Sequence, residues 1–452
     1  MTAESTFLCD VGEEMRTACA KEPFYKEYQG KRYCVFHYPD SDKRAAFSKA
    51  LKKKLDIQDY DFRGIWFPDR VTFHGTIFNE RLNFTGATFN AEVRFSLTTF
   101  NEKVSFGLAT FNAEVDFGNA IFNEGANFQR ATFNAEVEFS NVTFNSAIFL
   151  RAIFNAKVLF IGTKFDSLND FGLAIFNADV DFNEATFKGM VRFSYSIFRA
   201  SVRFAGDRIV GFREKASLSF NFAKFEKPEQ ISFQTLTLRP HWFVNLDARK
   251  FHFANIEWDL RAKRIEEGIR ELERQTVPVR EPHRILSITC RQLAINAEEN
   301  HRYEEASRLR YWSMDLRRRE TYFMPAFWRL SWWYWLASGY GERVGRAFVA
   351  LICIWLTFAW LYMQPNSWPN IQLHVGFAHQ TQATGAATIS PQDKGLLKVS
   401  DALTYSAGVM TLQKPEPRPT TSLAKGLVTL ETILGPIQIA LLALAIRRKF
   451  MR

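Results

Sequence analysis

The chain has 452 residues, with 58 Lys and Arg against 48 Asp and Glu, for a formal net charge of +10. At ~100–200 residues per domain this allows two to four domains, and 47% hydrophobic with 23% charged residues excludes a mainly disordered chain. Five Cys are too few for a disulfide framework, and a mean hydropathy of −0.19 is too polar for a chain that is membrane throughout. The N-terminus, MTAESTFLCDVGEEMR, has no basic start and no apolar stretch of the kind a secretory signal needs, so the N-terminal part is expected to stay in the cytoplasm. Within residues 1–40, Cys9, Cys19, Cys34 and His37 form C-x9-C-x14-C-x2-H. Thiolates and imidazole suit Zn²⁺ in closed tetrahedral sites, so a structural zinc knuckle is expected. The alternative is ordinary buried thiols with an incidental His. Residues 41–58 predict a basic amphipathic helix capped by Ser41, with Ala46, Phe47, Ala50, Leu51 and Leu55 on one side. Its Lys cluster suits either an anionic lipid surface or, more commonly, a solvated face.

Residues 59–257 are organised by Phe, of which the chain has 45 against 13 Tyr and 11 Trp. From Phe73 to Phe204 these fall at alternating steps of five and six residues, with one lapse at Phe144, Phe149 and Phe154, where a step of five stands in place of a six. A small or branched residue, such as Ala87, Val93, Ala109 or Val115, sits two places before nearly every Phe, and polar residues, often Asn, follow it. On a 3.6-residue helix successive Phe would point to nearly opposite sides. A solenoid that turns every five or six residues puts them all inside, with Asn and Gly expected at the corners. The pattern AxFNAEVxF over roughly residues 60–225 resembles the pentapeptide-repeat family in its Phe-rich eleven-residue variant. That resemblance implies a right-handed quadrilateral β-helix, of ~6 coils for these Phe at ~4.8 Å each. Some members of the family mimic DNA and inhibit gyrase, which needs an acidic rod. This rod is near neutral, so no nucleic-acid role is expected, and a spacer or protein-binding surface is the plainer reading.

Residues 258–321 change to helical periodicity and form a helical connector. Leu260, Ile265, Ile269 and Leu272 make one stripe, and a helical hairpin with its turn near Asn300–Tyr303 follows. NHRYEEAS resembles the turn of a single tetratricopeptide unit. Residues 322–344, with four Trp and a Tyr in FWRLSWWYW, read as a helix lying in a membrane interface.

Residues 345–364 and 426–447 are long and apolar enough to be transmembrane helices. Arg343 and Arg346 before the first, and Arg447, Arg448, Lys449 and Arg452 around the basic tail 448–452, place both termini in the cytoplasm of a two-pass protein of the cell (inner) membrane. Residues 365–425 then form an extracytoplasmic loop, whose DALTYSAGVMTL reads as a short amphipathic pore helix. Span, re-entrant helix and span together resemble the two-transmembrane pore module of potassium-channel-like proteins, over residues 343–450. The resemblance implies a tetramer, with a filter region at Thr411, Leu412, Gln413, Lys414 and Glu416. No Gly-Tyr-Gly follows Thr411, so potassium selectivity is not expected. Glu431, Gly435 and Gln438 share one face of the second span, which a tetramer would turn toward the pore. Gly435 and Pro436 are the expected gate hinge.

No Walker loop, nucleophile elbow or His–carboxylate cluster is present in the sequence, so no enzyme is expected. The chain reads as a multidomain membrane protein: a homo-oligomeric ion channel passing inorganic ions, contacting membrane lipid, with a cytoplasmic rod that senses or binds an unknown protein or ligand. The alternative is a non-conducting membrane-anchored scaffold whose rod recruits a partner.

Overall fold

The alternating five- and six-residue steps become two kinds of corner in a four-sided coil. The computed structural model describes residues 7–19, 22–206, 216–274, 281–320, 330–363, 399–413, 415 and 422–450. It divides into two compact units, Met1–Asn300 and His301–Arg452. In the first unit each side of the coil is mostly a two-residue strand. Ala87 and Phe89 point in around outward Thr88, and Val93 and Phe95 point in around outward Arg94. Strands stack in parallel on the same side of the next coil: Thr88 on Thr110 on Thr132, and Val93 on Val115 on Val137. One stack reaches eight strands and another nine, so the rod has about eight coils. The expectation of ~6 is short because Phe62 and Phe67 precede the regular series, while Phe220, Phe225, Phe233, Phe251 and Phe253 extend it, all buried except the half-buried Phe225.

Inside, Phe rings form continuous columns. Phe84, Phe106, Phe128, Phe149 and Phe171 stack nearly parallel at centroid distances of 5.1, 5.0, 4.7 and 4.5 Å. Rings of neighbouring columns meet edge to face, as Phe106 does with Phe117 at 5.6 Å and 81°. Both arrangements satisfy the ring quadrupole, and each buried Phe adds ~1.5–3 kcal/mol before entropy is subtracted.

The corners differ from expectation in one respect. The five-residue step turns through a left-handed residue: Gly64, Gly75 and Gly86, but also Leu97, Leu108, Arg130, Arg151, Leu173, Tyr195 and Phe222. Asn119 and Asn141 take this corner as expected, while the Asn that follows alternate Phe serves the six-residue step, where its side chain hydrogen-bonds the Asn one coil away. Asn134 donates to Asn112 at 2.8 Å, and Asn112 to Asn90 at 3.0 Å. The lapse at Phe144 is one residue missing from an Asn corner. Phe122 still pairs with Phe144, but Gly125 pairs with Ser146, and a bulge absorbs the difference.

Both ends of the Phe core are covered. At the start lie α1 (Glu13–Arg16), the antiparallel hairpin β1 (Phe24–Tyr28) and β2 (Lys31–Cys34), and α2 (Arg44–Asp56). Phe47 of α2 meets Phe67 of the rod edge to face at 5.5 Å. The helical entry is capped by Asp40, whose carboxylate accepts from Asp42 N–H, and not by Ser41. A Cβ on Gly64 would sit 2.6 Å from Met15 Sδ, so glycine there serves both the left-handed turn (φ +65°) and the close approach of α1. At the far end, α3 (Ala262–Glu273) buries Ile265, Ile269 and Leu272. From α4 (Pro282–Glu299), the Asn296 amide donates to the carbonyls of Arg249 and Phe251, each at 2.8 Å. Solenoids need such ends, because an uncovered terminal coil exposes both apolar core and unpaired strand edges.

The second unit holds α5 (Tyr303–Glu320), α6 (Leu330–Ser338), α7 (Val344–Tyr362), α8 (Val399–Met410) and α9 (Ser422–Phe450). α7, α8 and α9 pack on one another, with Phe358, Tyr362, Tyr405 and Val409 at the centre. α9 continues through Pro436 as one helix. The helices around Val344–Tyr362 and Lys425–Lys449 are long and apolar enough to cross a membrane.

Candidate functional site

The four sequence-predicted ligands Cys9, Cys19, Cys34 and His37 meet at the start of the rod, all buried, with their ligand atoms within 4.8 Å of one another. Local pairing brings them there. Asp10 N–H donates to Arg32 O at 2.9 Å and Arg32 N–H returns to the Asp10 carboxylate at 2.8 Å, fixing Cys9 beside β2. Cys19 ends the turn that follows α1, and Cys34 closes β2. The turn after it, held by Tyr38 N–H to Cys34 O at 3.1 Å, brings back His37.

Cys9 Sγ and Cys34 Sγ are 3.8 Å apart, and His37 Nδ1 lies 3.2 Å from Cys34 Sγ and 3.8 Å from Cys9 Sγ. Tetrahedral bonds of ~2.3 Å to sulfur and ~2.0 Å to nitrogen require S···S and S···N separations of about 3.8 and about 3.5 Å. His37 Nε2 lies 2.9 Å from Arg63 O, a contact that assigns the ring proton to Nε2 and leaves Nδ1 for a metal. The donor set therefore fits a closed metal site, with no position left for substrate. Without a metal the crowded groups push one another apart in acidity. Hydrogen bonds to Cys19 and Cys9 hold the Cys34 thiol far below its ordinary value, and Cys19 rises. Burial lowers His37, but its bonds to Cys34 and Cys9 outweigh that and hold it at about 9.

The basic run beside the site is not uniformly solvated. Lys49, Lys52 and Lys53 are exposed, but Lys43 and Lys54 are buried. Lys43 Nζ donates to Phe36 O at 2.7 Å and lies 4.8 Å from the Phe47 ring centroid, with burial pulling it down to about 7. Lys54 Nζ donates to Ala18 O at 3.1 Å and pairs with Asp59 at 2.5 Å. The signal was present: positions 43, 47, 50, 51 and 54 share a helical face with the apolar stripe.

The coil geometry and the stacked Phe columns agree with the family comparison. The model for pentapeptide repeats (9 copies) matches residues 73–121, 95–143 and 117–164. The rod is built of pentapeptide repeats. No curated protein matches the chain. On the exterior of the pentapeptide-repeat rod, Arg199 ends one Asn ladder by donating to Asn177 at 2.7 Å.

In the second unit the spacing-predicted face of α9 is turned inward. Glu431 is fully buried, accepting from Tyr362 Oη at 2.6 Å and from Ser406 Oγ. Gln438 donates to Ala337 O and Ala347 O, each at 2.8 Å. A Cβ on Gly435 would lie 2.9 Å from Met410 Cα, so this glycine is where α8 and α9 touch backbones. Within one chain this face packs on α7 and α8, where the sequence pattern alone assigned it to a pore. Of the filter residues, Thr411, Leu412 and Gln413 are exposed. They form the stop of α8: Leu412 N–H donates to Val409 O, Gln413 N–H to Gly408 O, and Leu412 takes the left-handed φ of 60° that usually belongs to Gly. Lys414 and Glu416 lie outside the described residues.

The sequence reading missed a polar clasp at the other end of these helices. Glu342, with a side chain 2% exposed, pairs with Arg448 of α9 at 3.2 Å and Arg310 of α5 at 3.8 Å, and accepts from Ser307 Oγ at 2.5 Å. Arg343, which precedes α7, and Arg346 in its first turn lie over the rings of Tyr311 at 4.2 Å and Trp335 at 4.8 Å. A lone acid in a basic, aromatic stretch was the available signal.

Proposed function

We propose that the chain is the subunit of an oligomeric ion channel of the cell membrane, tetrameric as its resemblance implies. α7 and α9 cross the bilayer, α8 enters from the outer side, and both termini and the pentapeptide-repeat rod are cytoplasmic. The observation that carries this reading is α8, a twelve-residue helix packed between both apolar helices and bonded through Ser406 to the buried Glu431. A two-span anchor has no need of a third helix at that depth, and a buried carboxylate among apolar helices is costly unless it has a role. Only 17% of each apolar stretch is buried in the chain, whereas a soluble core helix is mostly buried, so lipid or sister subunits cover the rest. The basic residues at the start of α7 and the end of α9 set the orientation.

The stop at Leu412 and the lack of Gly-Tyr-Gly give a filter that is not potassium-selective. The Cys₃His group holds a structural zinc that closes the rod, and the rod binds a protein or ligand and performs no catalysis. The inward turn of the Glu431–Gln438 face favours a second reading. It leaves apolar Leu430, Ile433 and Ile437 outermost on α9, which suits a non-conducting anchor for a scaffold. Single-channel recording of the purified protein in a planar bilayer under asymmetric KCl separates the two. Discrete openings with a reversal potential shifted in Lys414→Glu support the channel; silence from folded, oligomeric protein supports the scaffold.

A further inference from the structure

Helix α3 and one side of the rod, both in the first unit, enclose a groove of about 550 Å³. α3 and its C-cap residue line it with Glu267, Arg270, Glu271 and Arg274, which share one helical face. The rod adds Arg192 and an apolar wall that includes Leu173 and Met190.

The acids of this groove are already engaged. Asp170 accepts from Gly172 N–H at 2.8 Å and Glu267 pairs with Arg264 at 2.6 Å. Glu271 lies 3.2 Å from His241 Nε2 and accepts from Ser217 Oγ. Burial raises the Glu271 carboxyl, but His241, Ser217 and Arg239 together hold it below the usual value, as a positive environment requires.

The arginines are not engaged. Among the described residues Arg270 and Arg274 make no ion pair. Arg192, half-buried, donates only to the thioether of Met190 at 3.1 Å, a weak acceptor. Three arginines thus line a cavity of small-molecule size beside an apolar wall.

We propose that this groove binds a small organic phosphate. Guanidinium forks match phosphate oxygens in paired hydrogen bonds, and one phosphate monoester brings a charge of about −1.5 to −2, more than a carboxylate can. The apolar wall takes the organic body. The site does not depend on conduction by the second unit.

Calorimetry on the full-length protein in detergent tests this with phenyl phosphate, inorganic phosphate and benzoate as probes. Phenyl phosphate is expected to bind saturably and about tenfold more tightly than inorganic phosphate, with benzoate weaker than either. Arg270→Ala/Arg274→Ala, both exposed and safe for folding, is expected to lose about tenfold or more in affinity, and Arg192→Met a similar factor. An absence of saturable phenyl phosphate binding overturns the proposal. So do equal affinity in the arginine variants, benzoate binding as tightly as phenyl phosphate, and arginine-dependent binding seen only with phosphatidate vesicles, which would assign the groove to a lipid headgroup.

Discussion

Cys34 occupies the tightest point of the N-terminal site, with Cys9 Sγ at 3.8 Å and His37 Nδ1 at 3.2 Å. The segment around it has little apolar core of its own, so a metal would provide much of its folding energy, on the order of several kcal/mol. Purified protein is expected to carry about one zinc per chain by elemental analysis. Cys34→Ser, or treatment with a chelator, should remove it and lower the first thermal transition. A full-length protein that contains no zinc, or melts identically after substitution, would remove the metal from the account. The four ligands were legible because Cys and His are rare here and C-x2-H is a tight pair. Arg63 was not, because its contribution is a backbone carbonyl, which any residue type supplies. Lys43 and Lys54 were hidden for a different reason. A Lys among other Lys reads as surface, and only the helical phase shows that these two share the face of Phe47.

At the scale of elements, a largely buried polar cluster helps hold α3 to the rod. Glu271 joins His241 and Ser217, and Gly268 admits His241 so closely that a Cβ would lie 2.4 Å from Nδ1. The folded pKa of Glu271 lies below its ordinary value, so between the two values the unfolded chain binds more protons. The cluster's stabilisation is therefore full above the ordinary carboxylate range and is lost as pH falls through the lowered folded value. Glu271→Gln should flatten the acid limb of the melting profile and leave melting at pH 8 lower by about 1–3 kcal/mol, the cost of a charged hydrogen bond. An unchanged slope between pH 3 and 5 (roughly the carboxylate range) would show that α3 is held by its Ile265–Ile269–Leu272 stripe alone. That stripe was readable from period 3.6, as the coils were from the Phe steps. The left-handed corners were not: Leu108, Arg130 and Tyr195 adopt a φ that sequence rules reserve for Gly and Asn. Stacking on neighbouring coils imposes it against a local cost of ~1–2 kcal/mol per residue. The face of α9 shows the same limit. A shared phase puts Glu431 and Gln438 on one side, but phase does not say whether that side meets a pore, lipid or the chain's own helices.

At the scale of the whole molecule, the second unit is tied together at Glu342. Its buried carboxylate meets Arg310 and Ser307 of α5 and Arg448 near the end of α9, just ahead of α7. It thus joins the helix that continues the chain from the rod to both apolar helices. A displacement of α5 would be carried to the ends of those helices through this side chain and the neighbouring Arg343–Tyr311 contact, while the Tyr362–Glu431–Ser406 contacts hold α7, α8 and α9 to each other further along. Removing the charge leaves Arg310 and Arg448 without their shared partner, and breaking one side of a buried ion pair costs about 3–5 kcal/mol. Glu342→Gln is expected to lower the thermal stability of the detergent-solubilised protein by that order. Oligomeric state by size-exclusion chromatography should be unchanged, because the clasp lies within one subunit. On the channel reading proposed above, the same variant should alter open probability at constant unitary conductance in bilayer recordings, since it loosens the hold on α5 and leaves the Thr411–Gln413 region untouched. A changed conductance with normal open probability would instead place the clasp beside the proposed ion path and remove α5 from the account of gating.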